Sequence, residues 1–211
     1  PLVEHFGLDA VRYYLAREIV FGQDGSFSPE QFVERVNSDL ANSLGNLLNR
    51  TVSMINKYFD GVIPQYNGRI NDVDGNLEDL TKLTISSYEK LMDDLKITDA
   101  ISQVNELVNR ANKYIDETEP WALAKDPEKK ANLESVMVHL ANSLYVAGML
   151  LKPVLVTASD KLFDQLGVAG DLLNYDNIYK YGVVGDLKVE KKDQLFPRLD
   201  ATVEVEYIQG L

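Results

Sequence analysis

The chain has 211 residues, 45% of them hydrophobic, which is enough to bury one substantial core and excludes a disordered polymer. Lys and Arg number 21 against 33 Asp and Glu, a net charge of −12, so nucleic acid is not held by blanketing phosphates with cations, although a small base-reading site stays open. There is no Cys, which excludes disulfides and Cys-based zinc sites; with no signal peptide and no apolar run approaching a span of roughly 18 to 20 residues, the expected location is the cytoplasm.

Leu8 to about Val20 reads as a first helix, with Val11, Leu15 and Ile19 at helical spacing. FGQDGSF breaks it, and Ser28 followed by Pro29 restarts a helix: a hydroxyl cap precedes a proline whose missing N–H costs nothing at the first helical position. Phe32, Val36, Leu40, Leu44, Leu47, Thr51, Ile55 and Tyr58 then trace one face of a long helix ending near Asp60 and Gly61. Its middle, LANSLGNLLNRT, is unusual, because Asn competes for backbone hydrogen bonds and a mid-helix Gly costs about 1 kcal/mol relative to Ala.

A second long helix runs through Leu77, Leu80, Thr84, Tyr88, Leu91 and Leu95, and a third follows Thr98 with Ile101, Val104, Leu107, Val108, Ala111 and Ile115 facing inward. Asp126 and Pro127 repeat the cap-then-proline signal and open a fourth, apolar on more than one side from Val136 to Leu151 and therefore central. Pro153 starts a last helix that stops at Gly167. From Val168 to Leu211, pieces such as VEVEYI and LFPRLD read as an irregular tail. The expected fold is all-α, an antiparallel helix bundle with that tail.

No catalytic constellation is visible. His5 lies near the start of the chain, and His139, on the apolar fourth helix, reads as a hydrogen-bonded core residue. Phosphate-cradling glycine motifs are absent. INDVDGNLEDLT superficially resembles a calcium loop, but that register puts Ile70 at the first ligand position and Thr81 where a bidentate Glu is required, so a solvated loop is expected.

Two polar stripes remain. Asn42, Asn46 and Asn49 with Arg50 lie away from the core-facing Leu40, Leu44 and Leu47, and Asn105, Asn109, Asn112 and Asp116 repeat the pattern on the third helix. The one Trp, Trp121, follows Pro120 at a helix break. Asn stripes can simply bridge neighbouring helices, and a lone Trp is most often core. Together, however, amide and guanidinium groups beside an aromatic face suit unpaired RNA bases, which offer Watson–Crick edges and a stacking surface.

FGLDAVRYYLARE, FSPEQFVERVNSDLANSLGNLLNRT, NRANKYIDETEPWALAK and LFPRLD resemble, in combination, the C-terminal part of the methionyl-tRNA synthetase family, over nearly the whole chain. The resemblance implies a class I synthetase anticodon-binding domain that recognises the CAU anticodon of methionine tRNA. The family's base-reading Asn and Arg fall on Asn46 and Arg50 and its stacking Trp on Trp121, with Asn42, Asp116 and Pro120 near that site. It further implies a junction helix at residues 1–27, the anticodon-binding bundle at 28–167, and a tail at 168–211 leading towards a C-terminal tRNA-binding module that some members carry.

H-I-G-H and K-M-S-K-S are absent. The chain is therefore expected to be an inactive fragment of a methionine–tRNA ligase, needing no cofactor or metal itself, while ATP with Mg and a structural zinc would belong to a catalytic domain of the same polypeptide. The expected partners are methionine tRNA and that catalytic domain, with neither DNA nor membrane. Two alternatives stay open: the equivalent domain of another class I synthetase, and a helical scaffold without an RNA role.

Overall fold

Capping and amphipathic spacing set the order of the elements, which a computed structural model describes for all 211 residues. Two short helices, α1 (Leu2–Phe6) and α2 (Leu8–Glu18), are hinged at Gly7. The Ser28 hydroxyl accepts from the Gln31 amide and starts α3 (Pro29–Arg35), as the cap-then-proline signal predicts. The chain then runs through Val36–Gly45 into α4 (Asn46–Phe59), which ends at Asp60 in the left-handed region. Next come α5 (Asp74–Asp93), α6 (Ile97–Thr118), the single turn α7 (Pro120–Leu123), and α8 (Lys130–Leu151) behind a 3-10 turn capped by Asp126. The last bundle helix is α9 (Val156–Leu166), and α10 (Ala201–Gln209) closes the chain. There is no β-sheet, only an isolated antiparallel bridge between Val62 and Lys188.

The expected long helix is continuous but not uniformly α-helical. Val36–Gly45 is π-helical, and this accounts for the glycine in its sequence. A Cβ on Gly45 would lie 3.1 Å from the carbonyl oxygen of Leu40, five residues back, where the wider π turn brings the backbone close.

Helix α8 is the core element. Every residue from Ser135 to Leu151 is buried, and α4, α5, α6 and α9 pack around it. Gly148 lets α9 approach, since a Cβ there would stand 2.9 Å from both Leu162 and Phe163 side-chain carbons. Pro127–Leu151 is in fact long and apolar enough to cross a bilayer, contrary to the sequence reading, but 94% of its most apolar window is buried inside this fold. The hydropathy belongs to a bundle centre.

Three further expectations are corrected. INDVDGNLEDLT is not a solvated loop: from Asp74 onward it is the start of α5, and Asp74 is fully buried and accepts from the Ile70 and Asn71 amides (2.8 Å each), the Ser135 hydroxyl (2.6 Å) and the Tyr114 hydroxyl (2.5 Å). Buried polar groups need such partners, and this carboxylate has them from three elements. The last bundle helix begins at Val156 rather than Pro153, because the Asp9 carboxylate of α2 caps it in trans, accepting from the Ala158 amide at 2.6 Å. VEVEYI is helical, started by Asp200, whose side chain accepts from Thr202 and Val203, and α10 docks on α3. The tail before it is irregular apart from the 3-10 turns Gly170–Leu173 and Tyr175–Tyr179.

His139 is the core histidine expected: it is fully buried, with Nδ1 2.8 Å from the Ser135 carbonyl and Nε2 3.9 Å from Glu78. Burial alone would raise the Glu78 pKa. Hydrogen bonds from Arg69, Lys82 and Tyr66 outweigh it and hold the carboxyl at about 2.

Candidate nucleic-acid interface

The π segment with α4 and the helix α6 lie side by side and run in the same direction, as first and third members of an up-and-down bundle do. Their polar rims are joined at a constant offset of 66 residues. Asn105 donates to Asp39 (3.4 Å), Ser43 to Asn109 (2.5 Å), Asn46 to Asn112 (3.4 Å) and Arg50 to Asp116 (2.8 Å). The steps of four, three and four that marked the second stripe recur on the facing rim as Asp39, Ser43, Asn46 and Arg50, making the rungs of one ladder to which only Asn46 and Arg50 of the first stripe belong. Asn112 also donates to the Ser43 carbonyl at 3.2 Å. Much of the second stripe is therefore committed to holding the two helices in register.

The first stripe keeps unused capacity. Asn42, Asn46 and Asn49 are exposed, and the side chains of Asn42 and Asn49 make no hydrogen bond within the protein. Asn46 spends only an amide N–H, leaving its carbonyl oxygen free. Arg50 is half-buried and gives one of its five N–H groups to Asp116, so most of its fork remains available, held in direction by that carboxylate.

Trp121 follows from a local break. Glu119 takes left-handed dihedrals (φ 43°, ψ 62°), ending α6 one turn beyond Asp116; Pro120 then begins α7 and is itself buried. That places the indole on an anchored turn, 44% exposed and without an aromatic partner in the chain. The sequence-predicted residues other than Asn42 are therefore linked through the ladder: Asn46 and Arg50 are tied to α6, and α6 leads through Asp116 into Pro120 and Trp121. None of the three proposed base contacts is sealed in the core.

Asn42, Asn46 and Asn49 open onto a cleft of about 390 Å³ whose opposite wall is the tail, through Gln194, Phe196 and Arg198. The periodicity of one helix gives no signal for residues about 150 positions away. LFPRLD drew notice as a motif, without a place in the site.

No group of three or more His, Asp or Glu side chains is arranged to hold a metal ion, and the chain has no Cys, so its residues do not fit a structural zinc. The other elements supply support. Arg12 of α2 donates to the Pro153 and Val154 carbonyls (2.6 and 3.1 Å), and Arg17 lies 3.8 Å from Asp39 at the end of the ladder.

Residues 1–52 match the family model described as tRNA synthetases class I (M), and residues 63–185 match the anticodon binding domain of methionyl tRNA ligase. The curated methionine–tRNA ligase of Bacillus subtilis (strain 168) is 52% identical over 210 residues, and that of Listeria monocytogenes (strain EGD-e) 53% over 211. Each alignment takes in 99% of this chain and 32% of the relative, so the chain spans about a third of their length. Among solved structures, apo Mycobacterium tuberculosis methionyl-tRNA synthetase superposes with a TM-score of 0.88 at 32% identity, over 94% of this chain and 40% of that one. The same enzyme in complex with methionyl-adenylate gives 0.86 at 32% identity, over 93% and 39%. With the family model matching more than half of its residues and the bundle matching the solved fold, the chain belongs to the methionyl-tRNA synthetase family and corresponds to its anticodon-binding region.

Proposed function

We propose that this chain reads the CAU anticodon of methionine tRNA, with the first anticodon base, a cytosine, stacked on Trp121 and its polar edge satisfied by Asn46 and Arg50. The observation that supports this most is the indole itself: a large apolar ring left nearly half exposed on a turn anchored by buried Pro120. Cytosine presents an N4 donor beside the N3 and O2 acceptors on its Watson–Crick edge. The free Asn46 carbonyl suits the first and the spare Arg50 N–H groups suit the others. Asp116 orients Arg50, and Asn42 lines the approach.

In this reading the whole ligase activates methionine with ATP and transfers it to tRNA in a catalytic domain of the same polypeptide, which also holds the Mg and any structural zinc. This chain supplies recognition and is inactive alone. Residues 1–27 form the junction to that domain, 28–167 the anticodon-binding bundle, and 168–211 the tail. The protein works in the cytoplasm on tRNA, with neither DNA nor membrane as partner.

A second reading, a scaffold whose stripes are interhelical glue, is favoured by the ladder. It leaves Asn42, Asn49 and Trp121 without a purpose. Titration with anticodon stem-loops decides between the two. The CAU loop is expected to bind about five- to 150-fold tighter than loops differing in the first base, because a wrong base leaves a polar group unpaired at a cost of about 1–3 kcal/mol. Equal affinity for every loop would remove the proposal.

A further inference from the structure

The connection into α5 is anchored on both sides of a two-residue bridge. The Tyr66 hydroxyl donates to the Glu78 carboxylate at 2.9 Å, and Arg69 Nε donates to the same oxygen at 3.0 Å, while the far arm of the guanidinium pairs with Asp79. The next two amides, Ile70 and Asn71, donate to buried Asp74. Asn67 and Gly68 span the gap between Tyr66 and Arg69. Asn67 is exposed and its side chain makes no hydrogen bond within the protein; the Gly68 amide makes none either, and its carbonyl accepts only at 3.5 Å, from the Ser135 hydroxyl.

Of the fifteen Asn residues, Asn67 alone is followed by Gly. Eleven others lie in the π segment or in α-helices, whose fixed dihedrals keep the next amide away from the side chain. The remaining three have engaged side chains: Asn71 with Asp74 and Asn132, Asn174 on the Asp176 amide, and Asn177 on the Asp171 carbonyl. At Gly68 no side chain screens the backbone nitrogen, φ is 93°, and no heavy atom lies within 4 Å of where a Cβ would stand. A free backbone amide, an unhindered approach and an unrestrained side-chain carboxamide are what ring closure onto an Asn requires.

We infer that Asn67 is a site of spontaneous covalent modification, converting through a succinimide to aspartate and isoaspartate. The Gly68 nitrogen, losing its proton to solvent base, attacks Asn67 Cγ. The new C–N bond forms as the Cγ–NH2 bond breaks, and the amide group leaves as ammonia. Water then opens the ring. Attack at Cγ restores the ordinary main chain with Asp at position 67, whereas attack at the backbone carbonyl carbon routes the chain through Cγ. The second product adds a methylene and a negative charge to a bridge whose two ends sit on one carboxylate, and so loosens the Tyr66 and Arg69 anchors.

The test follows the full-length synthetase, aged in mildly alkaline buffer, by peptide mapping with mass spectrometry, beside a synthetic peptide of sequence QYNGRI. The peptide carrying Asn67 is expected to gain about one dalton with time, at a rate within about tenfold of the free peptide because the bridge has no protecting hydrogen bond, and to become a substrate for an isoaspartyl methyltransferase. Asn67→Gln, an exposed change that touches no partner, should block both signals. Conversion more than about tenfold slower than in the free peptide would show that the fold protects the site and overturn the inference. In aged wild type, amide hydrogen exchange at Ile70 and Asn71 is expected to rise about tenfold over equally aged Asn67→Gln, the effect of one lost hydrogen bond; equal exchange would overturn the loosening of the anchors.

Discussion

At the scale of single residues, the proposed site separates affinity from stability. The Arg50 and Asp116 side chains are 29% and 66% exposed, so their 2.8 Å contact lies in the range where ion pairs contribute about 0–1 kcal/mol to folding. Its value is directional: the carboxylate aims a planar fork. Arg50→Lys keeps the charge and loses that geometry, so stem-loop binding is expected to weaken about tenfold with thermal stability within about 0.5 kcal/mol of wild type. Parallel calorimetric and melting measurements check both halves. A large loss of stability with intact binding would reassign Arg50 to the scaffold.

At the scale of elements, the π segment explains why a poor helical sequence occupies the middle of a long helix. In an exposed α-helix, Gly→Ala normally stabilises by about 1 kcal/mol. At Gly45 the new Cβ would meet the Leu40 carbonyl at 3.1 Å, so Gly45→Ala is expected to lower Tm; a raised Tm would show that the π turn gives way at no cost. Helices α5, α6 and α8 were legible from sequence, because Leu, Ile and Val at steps of three and four, with Asp126 and Pro127 as a start signal, report local physics. The π turn was legible only as an anomaly at Asn42, Gly45 and Asn46. Asp74, α10 and the tail that Asn37 holds at Leu199 were not legible, since burial by Ser135 and Tyr114, docking on α3 and the Asn37–Leu199 hydrogen bonds depend on partners 40 to 179 residues away. For the same reason the two stripes were visible one by one, whereas the pairing at a constant offset was not.

At the scale of the whole molecule, charge and buried carboxylates set the response to solution conditions. With a net charge of −12, the anticodon reading predicts a shallow salt slope for stem-loop binding, no steeper than about −2. Acid should act through the core. Glu78 falls from an ordinary 4.5 to about 2 in the folded state, so its contribution is complete above pH 4.5 and is lost as pH falls towards 2. The loss is on the order of 3 kcal/mol for this group, and Asp74, also held low in the fold, adds to it in the same direction. Denaturant unfolding between pH 6 and 2 should therefore show falling stability, with a smaller fall in Glu78→Gln; an equal fall in both would deny Glu78 that role. Recognition itself is tested most directly by calorimetric titration of the wild-type protein and Trp121→Ala with a CAU anticodon stem-loop. Loss of one stacking surface is expected to weaken binding by about 1–3 kcal/mol with an unchanged melting temperature, whereas equal affinity of the two proteins would contradict the account.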